Sequence, residues 1–146
     1  MNENSWSGGL KYLDFAGADI TLHQETKLRE VDAIHSAEDT ALRLGWKTSL
    51  PRAASGEHGG ASAGVGITIR KHLGLAQPDS QNDPDIESRL LIRKLGAVCK
   101  GGIHVGSVYL HDMVGPNDPK NKDILEKIAF CLRNIAGSWV LGGDWN

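Results

Sequence analysis

Ala18-Asp19-Ile20-Thr21-Leu22-His23-Gln24-Glu25-Thr26-Lys27 is the stretch on which the reading of this chain turns. Ile20, Leu22 and Gln24 alternate with Thr21, His23 and Glu25, which predicts a β-strand over residues 18–24. Alternation puts Glu25 on the same face as His23, just where the strand ends. In layered α/β folds, ligands bind at strand ends, so Glu25 is the first candidate for chemistry.

Working outward, Ser5 caps a predicted helix over residues 5–16. Leu10, Leu13 and Phe15 form its apolar side and Gly17 stops it. Downstream, Ser36-Ala37-Glu38-Asp39 resembles a capping box and predicts a helix running to Gly45. Residues 50–63, rich in Gly, Ala and Ser, read as a loop. Gly64 to Arg70 alternates at Val65, Ile67 and Ile69 and predicts a strand. Pro78 to Pro84 is a polar loop. Leu90 to Leu95 and Ile103 to Leu110 are strands, with Gly101-Gly102 between them, and predict a hairpin. Pro119 sits at the first helical position after Asp118, and Ile124, Leu125, Ile128, Leu132 and Ile135 form a helical stripe ended by Gly137. Trp139 to Leu141 is the last strand and delivers Asp144. Strands and helices therefore intermix, which predicts an α/β (α+β) layered fold on a mixed sheet, in one domain. A single sheet with helices on one face leaves its other face bare, so something must cover it.

Composition narrows the function classes. The net charge is −2, which does not suit a generally basic nucleic-acid coat but leaves room for a local basic rim. No run of 18 apolar residues predicts a membrane span. Met1 to Gly9 lacks a basic start followed by an apolar core, so no secretory signal is expected. Cys99 and Cys131 match no metal spacing and read as reduced thiols, which favours an intracellular setting. No Walker-type glycine loop or dinucleotide fingerprint is present.

The last five residues, Gly142-Gly143-Asp144-Trp145-Asn146, place a carboxylate and a carboxamide two apart at a strand end. Such a pair can hold a divalent cation or a phosphate. Mg²⁺ prefers about six oxygen ligands and needs only one or two carboxylates beside waters and phosphate oxygens. Phosphodiester hydrolysis also needs a base, commonly His. His23 and His111 are the candidates within reach of the strand ends. Lys27, Arg29, Lys47, Arg52, Arg70 and Lys71 are candidates for a basic rim.

Ala18-Asp19-Ile20 with Gln24-Glu25-Thr26-Lys27 resembles the first signature of the endonuclease/exonuclease/phosphatase superfamily, the deoxyribonuclease I-like group. Thr21 and His23 depart from it. Gly64-Val65-Gly66-Ile67, Val108-Tyr109, Asn121 and Gly143-Asp144-Trp145-Asn146 are similar to further motifs of the family, in the family's order. Asn2, ahead of Ser5-Trp6, is similar to its first asparagine. The resemblance implies a four-layer αββα sandwich of which this chain is the mixed-sheet N-terminal portion, with the C-terminal half missing. It implies metal binding by Glu25 and Asn2 (Mg²⁺ or Mn²⁺), phosphate contact by Tyr109, and positioning of the nucleophilic water by Asp144 and Asn146. The family's general base, a histidine of a C-terminal Asp-His pair, lies in the second half.

The implied activity is metal-dependent phosphodiester hydrolysis, most similar to the abasic-site and retrotransposon endonucleases, with nucleic acid as substrate. The 146 residues alone are expected to be inactive. A lipid or inositol phosphate esterase, or a catalytically inert binding remnant of the same fold, stays open as an alternative, and so does the oligomeric state.

Overall fold

The computed structural model describes residues 9–10, 13, 15, 17–56, 60–76 and 88–146. Its elements are β1 (Ile20–Gln24), α1 (Val31–Arg43), β2 (Trp46–Ser49), β3 (Ala54–Ser55), β4 (Ala61–Ser62), β5 (Val65–Arg70), β6 (Leu90–Leu95), β7 (Ile103–Tyr109), α2 (Pro119–Asn134) and β8 (Ser138–Asp144). Of the helix expected over residues 5–16, Gly9, Leu10, Leu13 and Phe15 are described and helical. Leu10 and Leu13 are buried, whereas Phe15 is exposed and does not belong to the apolar side.

Two three-stranded sheets carry the fold, with orders β1-β5-β2 and β6-β7-β8, beside the small β3-β4 pair. The first sheet is antiparallel throughout. In the second, β6 and β7 form the expected hairpin and β7 runs parallel to β8. α2 is the crossover that a parallel β7-β8 pair requires.

The sheets lie face to face. Val65, Ile67 and Ile69 of β5 pack against Leu91, Leu95, Val105 and Tyr109 of the second sheet. Outside the first sheet, Ile34, Ala37 and Ala41 of α1 cover Trp46 together with Leu10 and Leu13. Outside the second, Ile124, Ile128 and Cys131 of α2 cover Leu90, Ile92 and Val108. The order of layers is helix, sheet, sheet, helix. The face that one sheet would leave bare is covered by a second sheet of the same chain.

Two local readings change. α1 begins at Val31 after Glu30, so Ser36 is not a cap. Its carbonyl accepts a hydrogen bond from the Thr40 hydroxyl inside the helix. Ile34 lies upstream of Ser36 and already belongs to the buried stripe, which draws the helix start back by more than a turn. The sequence pattern predicts no element over residues 46–49, because β2, with one apolar residue, Trp46, in four, has no alternation to detect. Among the described residues no helix is long and apolar enough to cross a membrane.

Candidate active site

Glu25 follows the last residue of β1 and has φ +54°, in the left-handed region. That turn breaks the alternation of the strand. His23 lies on the outer face, its Nε2 paired with the Thr68 hydroxyl at 2.9 Å. Glu25 instead turns inward to the facing sheet, where the Tyr109 hydroxyl donates to its Oε1 at 2.6 Å. The shared face expected for His23 and Glu25 is therefore wrong, because a non-glycine residue in the left-handed region cannot be read from period-two spacing.

The turn is fixed by the start of β5. Thr26 N–H donates to Gly64 O and Lys27 N–H to Ala63 O, each at 3.1 Å. Gly64 has φ +99°, and a Cβ there would collide with Thr26 Oγ1 and lie 3.1 Å from Lys27 N. Close approach at a left-handed position demands glycine. Lys27, itself at φ +53°, brings its Nζ to 3.6 Å from Glu25 Oε2.

Asp144 and Asn146 reach the same place from β8. Asp144 is the register partner of Tyr109 on the neighbouring strand, and register partners share a face. Leu110 N–H donates to Asp144 O at 3.0 Å. Asn146 N–H donates to Asp144 Oδ1 at 3.2 Å, and its side-chain amide donates to Leu110 O at 3.3 Å. Gly143 allows this: a Cβ there would collide with Val108 O and lie 2.7 Å from Val108 C. Glu25, Tyr109, Asp144 and Asn146 thus gather at one end of β1, β7 and β8. Asn2 lies outside the described residues.

Sequence reasoning missed Arg89. Its Nη1 donates to Tyr109 O and Leu110 O, both at 3.3 Å. Its guanidinium carbon lies 4.9 Å from the Tyr109 ring centroid. Arg89 stands at the mouth of β6 in no motif; a cation next to an apolar strand start was the available signal. Asn121 is buried and acts as a clamp. Its Oδ1 accepts from His111 N–H at 2.7 Å and its Nδ2 donates to His111 O at 3.0 Å and Val114 O at 3.2 Å.

The protonation states follow from these contacts. The Tyr109 hydrogen bond, followed by the Lys27 charge, holds the Glu25 carboxyl below its ordinary value although burial opposes this. Glu25 is therefore an ionised oxygen donor. Burial, reinforced by the bond to Glu25, pushes the Tyr109 phenol up to about 12, so it stays a donor. Burial lowers His23 to about 4, leaving it neutral. Burial, then the Arg89 and Lys120 charges, lowers His111. Among the described residues no three His, Cys, Asp or Glu side chains form a metal-holding group. The donors present are hard oxygens, which suit Mg²⁺ or Mn²⁺ with one carboxylate and several waters rather than a closed protein cage.

No family model matches the chain. In sequence it is 27% identical over 117 residues to a glucokinase of Zymomonas mobilis, covering 75% of this chain and 36% of that protein. In structure it is similar to a truncated Caenorhabditis elegans TDP2, with TM-score 0.59, 16% identity, and coverage of 97% of this chain and 55% of that one. It is similar to the human Nocturnin catalytic domain with bound sulfate (TM-score 0.61, 14% identity, 99% of this chain and 57% of that one). It is also similar to ANGEL2, a 2',3'-cyclic phosphatase, in complex with adenosine-2',3'-vanadate (TM-score 0.58, 22% identity, 96% and 43%). The chain spans about a third of the glucokinase and about half of these solved chains. The structural likenesses run over nearly all of the chain, and it has the fold of these three proteins.

Proposed function

We propose that the protein is a phosphodiesterase dependent on Mg²⁺ or Mn²⁺, acting on nucleic acid. The observation that carries this is the cross-sheet bond from Tyr109 to an ionised Glu25, with Asp144 in register beside Tyr109. Glu25 would hold the metal, and the metal would neutralise charge on a phosphate oxygen and sharpen a water nucleophile. The Tyr109 hydroxyl orients Glu25 by donating to its Oε1, and its oxygen would contact the phosphate. Asp144 and Asn146 place an acceptor and an amide donor beside Tyr109, suited to orienting water and donating to a developing oxyanion. The phosphate mimics named in two structural neighbours, sulfate in Nocturnin and adenosine-2',3'-vanadate in ANGEL2, support phosphoester chemistry on this fold.

The 146 residues are read as one domain's N-terminal portion, without turnover of its own. His23 faces away from the site. His111 lines a neighbouring cleft, so neither stands as the base. Among the described residues, β1 and β8, which deliver Glu25 and Asp144, are both edge strands of their sheets. Trp139 and Val140 of β8 are exposed, a surface suited to continuation of the sheet. A sugar-kinase reading rests on the glucokinase likeness alone, and no site residue described above cradles a nucleotide triphosphate.

The test uses the full-length protein with a bis(p-nitrophenyl) phosphate assay and a labelled oligonucleotide. Activity should require Mg²⁺ or Mn²⁺, vanish with EDTA, and fall by about 10²-fold or more in Glu25→Gln and in Asp144→Asn. Activity that survives both substitutions would sink the assignment. Mg²⁺-dependent cleavage by the 146 residues alone would refute the inactive-portion reading.

A further inference from the structure

Arg89 is the residue of the site that belongs to no motif. It leads into β6 directly after Ser88, which has φ +62°. Gly64 N–H donates to Ser88 O at 3.1 Å, and Gly64 O is the acceptor that anchors the Glu25 turn. Tyr109 N–H donates to Arg89 O at 2.9 Å. The Ser88-Arg89 pair is thus bonded to the segments that carry both partners of the Tyr109–Glu25 bond. The Arg89 side chain then reaches back onto β7. Its Nη1 donates to the Tyr109 and Leu110 carbonyls, and its guanidinium lies over the Tyr109 ring. Leu110 O is also the carbonyl that receives the Asn146 side-chain amide. Arg89 is half-buried, and among the described residues no carboxylate forms a salt bridge with it; Asp112 acts on it from further off. A cation held by neutral oxygens and a ring face is costlier to bury than an apolar side chain. What it supplies in return is direction, because the planar fork fixes carbonyls and ring relative to one another.

We propose that Arg89 is a positioning residue: it holds the Tyr109 ring and the Leu110 carbonyl so that the phenol meets Glu25 and the Asn146 amide keeps its place. The inference rests on the phosphodiesterase reading above and deepens it by one residue of the same site. A tyrosine ring turns about two side-chain bonds, and its hydroxyl, at the far end, moves most. A tilt of about 10–20° is enough to lose productive geometry. Tyr109 packs between the sheets, but apolar packing fixes shape more than direction. The Arg89 hydrogen bonds and stacking fix the direction on the same residue. Arg89 therefore acts on rate through the Tyr109 hydroxyl and not by contact with the phosphate.

The test is a double-mutant cycle of Arg89→Met and Tyr109→Phe in the full-length protein, with kcat and KM for bis(p-nitrophenyl) phosphate. Methionine keeps a long stem and loses the fork and the charge. Arg89→Met should lower kcat about tenfold with KM unchanged. In the Tyr109→Phe background the same substitution should cost less than about twofold, because the hydroxyl it positions is gone. Arg89→Lys, the milder change, should stay close to Arg89→Met, since a lysine keeps the charge without the planar fork; it carries the comparison if the methionine variant does not fold. Independent effects in the cycle, a rise in KM with kcat unchanged, or full activity in Arg89→Lys would overturn the assignment and leave the phosphodiesterase reading standing. A ring-fluorinated tyrosine at position 109 gives a readout without turnover. Its fluorine NMR signal should report one ring orientation in the wild type and exchange between two in Arg89→Met and Arg89→Lys. If the wild type cleaves no diester, the phosphodiesterase reading fails and the fluorine spectra decide alone: exchange in the variants supports the positioning role, and unchanged spectra overturn it.

Discussion

Gly64→Ala should unhinge the turn that carries Glu25. The new methyl meets Thr26 Oγ1 at once and lies 3.1 Å from Lys27 N and 3.2 Å from Ala53 Cβ. The backbone at φ +99° is also one that an L-residue adopts only under strain, which costs about 1 kcal/mol. Overpacking a tight site costs about 1–3 kcal/mol. Relief by moving residues 25–27 lengthens the Thr26–Gly64 and Lys27–Ala63 hydrogen bonds, at about 1 kcal/mol each. These routes compete, so the expected loss is about 3–4 kcal/mol rather than their sum. Urea denaturation of the 146-residue chain measures it. Thr26→Ala removes the atom that is struck. Because Thr26 Oγ1 is buried without a hydrogen-bond partner, that substitution breaks no side-chain hydrogen bond. In the double variant about 1–2 kcal/mol should return, a coupling that a double-mutant cycle isolates. A Gly64→Ala protein within about 0.5 kcal/mol of wild type, or additive effects of the two substitutions, would refute the claim that Gly64 holds the turn by close approach.

Tyr109→Phe removes the donor to Glu25 and should slow diester hydrolysis by the full-length protein about ten- to a hundredfold. Its stability should change by under about 1 kcal/mol, because the Glu25 side chain is 46% exposed and solvent screens the pair; parallel kinetics and urea denaturation check both halves. Gly143→Ala should drive β8 away from the Val108 backbone and cost about 2–4 kcal/mol. Hydrogen exchange should then show faster loss of the Leu110 amide proton, whose acceptor is Asp144 O; unchanged protection at Leu110 would contradict the mechanism.

Much of the fold was legible because its strands obey simple alternation. β1, β5, β6 and β7 lie within one or two residues of where their apolar spacing puts them. The second sheet layer was less legible. Leu90-Leu91-Ile92 is a continuous apolar run, and such a run belongs to a strand covered on both faces. It carried the signal for a two-sheet core, since Leu91 packs toward the first sheet and Leu90 and Ile92 toward α2. The site was legible as a set of motifs, and Glu25, Tyr109, Asp144 and Asn146 do converge. Its geometry was not legible, because it depends on left-handed residues at 25 and 27 and on a facing strand 84 positions away. Arg89 was invisible for a related reason: it acts through backbone carbonyls and a ring face, which impose no residue type on their neighbours.

The glutamine before the glutamate has a structural reason of its own. Gln24 Nε2 donates to Ser107 Oγ at 3.0 Å, and Ser107 Oγ donates onward to His23 O at 2.7 Å. Ser107 is wholly buried between the sheets, so its hydroxyl needs these partners. The relay ties the end of β1 to β7 one residue before Glu25 and two before Tyr109. Both ends of the 2.6 Å Tyr109–Glu25 bond are thereby fixed by one short cross-sheet network, which an apolar residue at position 24 could not form. An apolar pair at 24 and 107 would pack the same gap without direction. The polar pair also sets the register of one sheet on the other, and register decides whether Glu25 meets Tyr109 at all. The Gln-Glu signature therefore works as a packing device that aligns two sheets, and the placement of the carboxylate follows from that alignment.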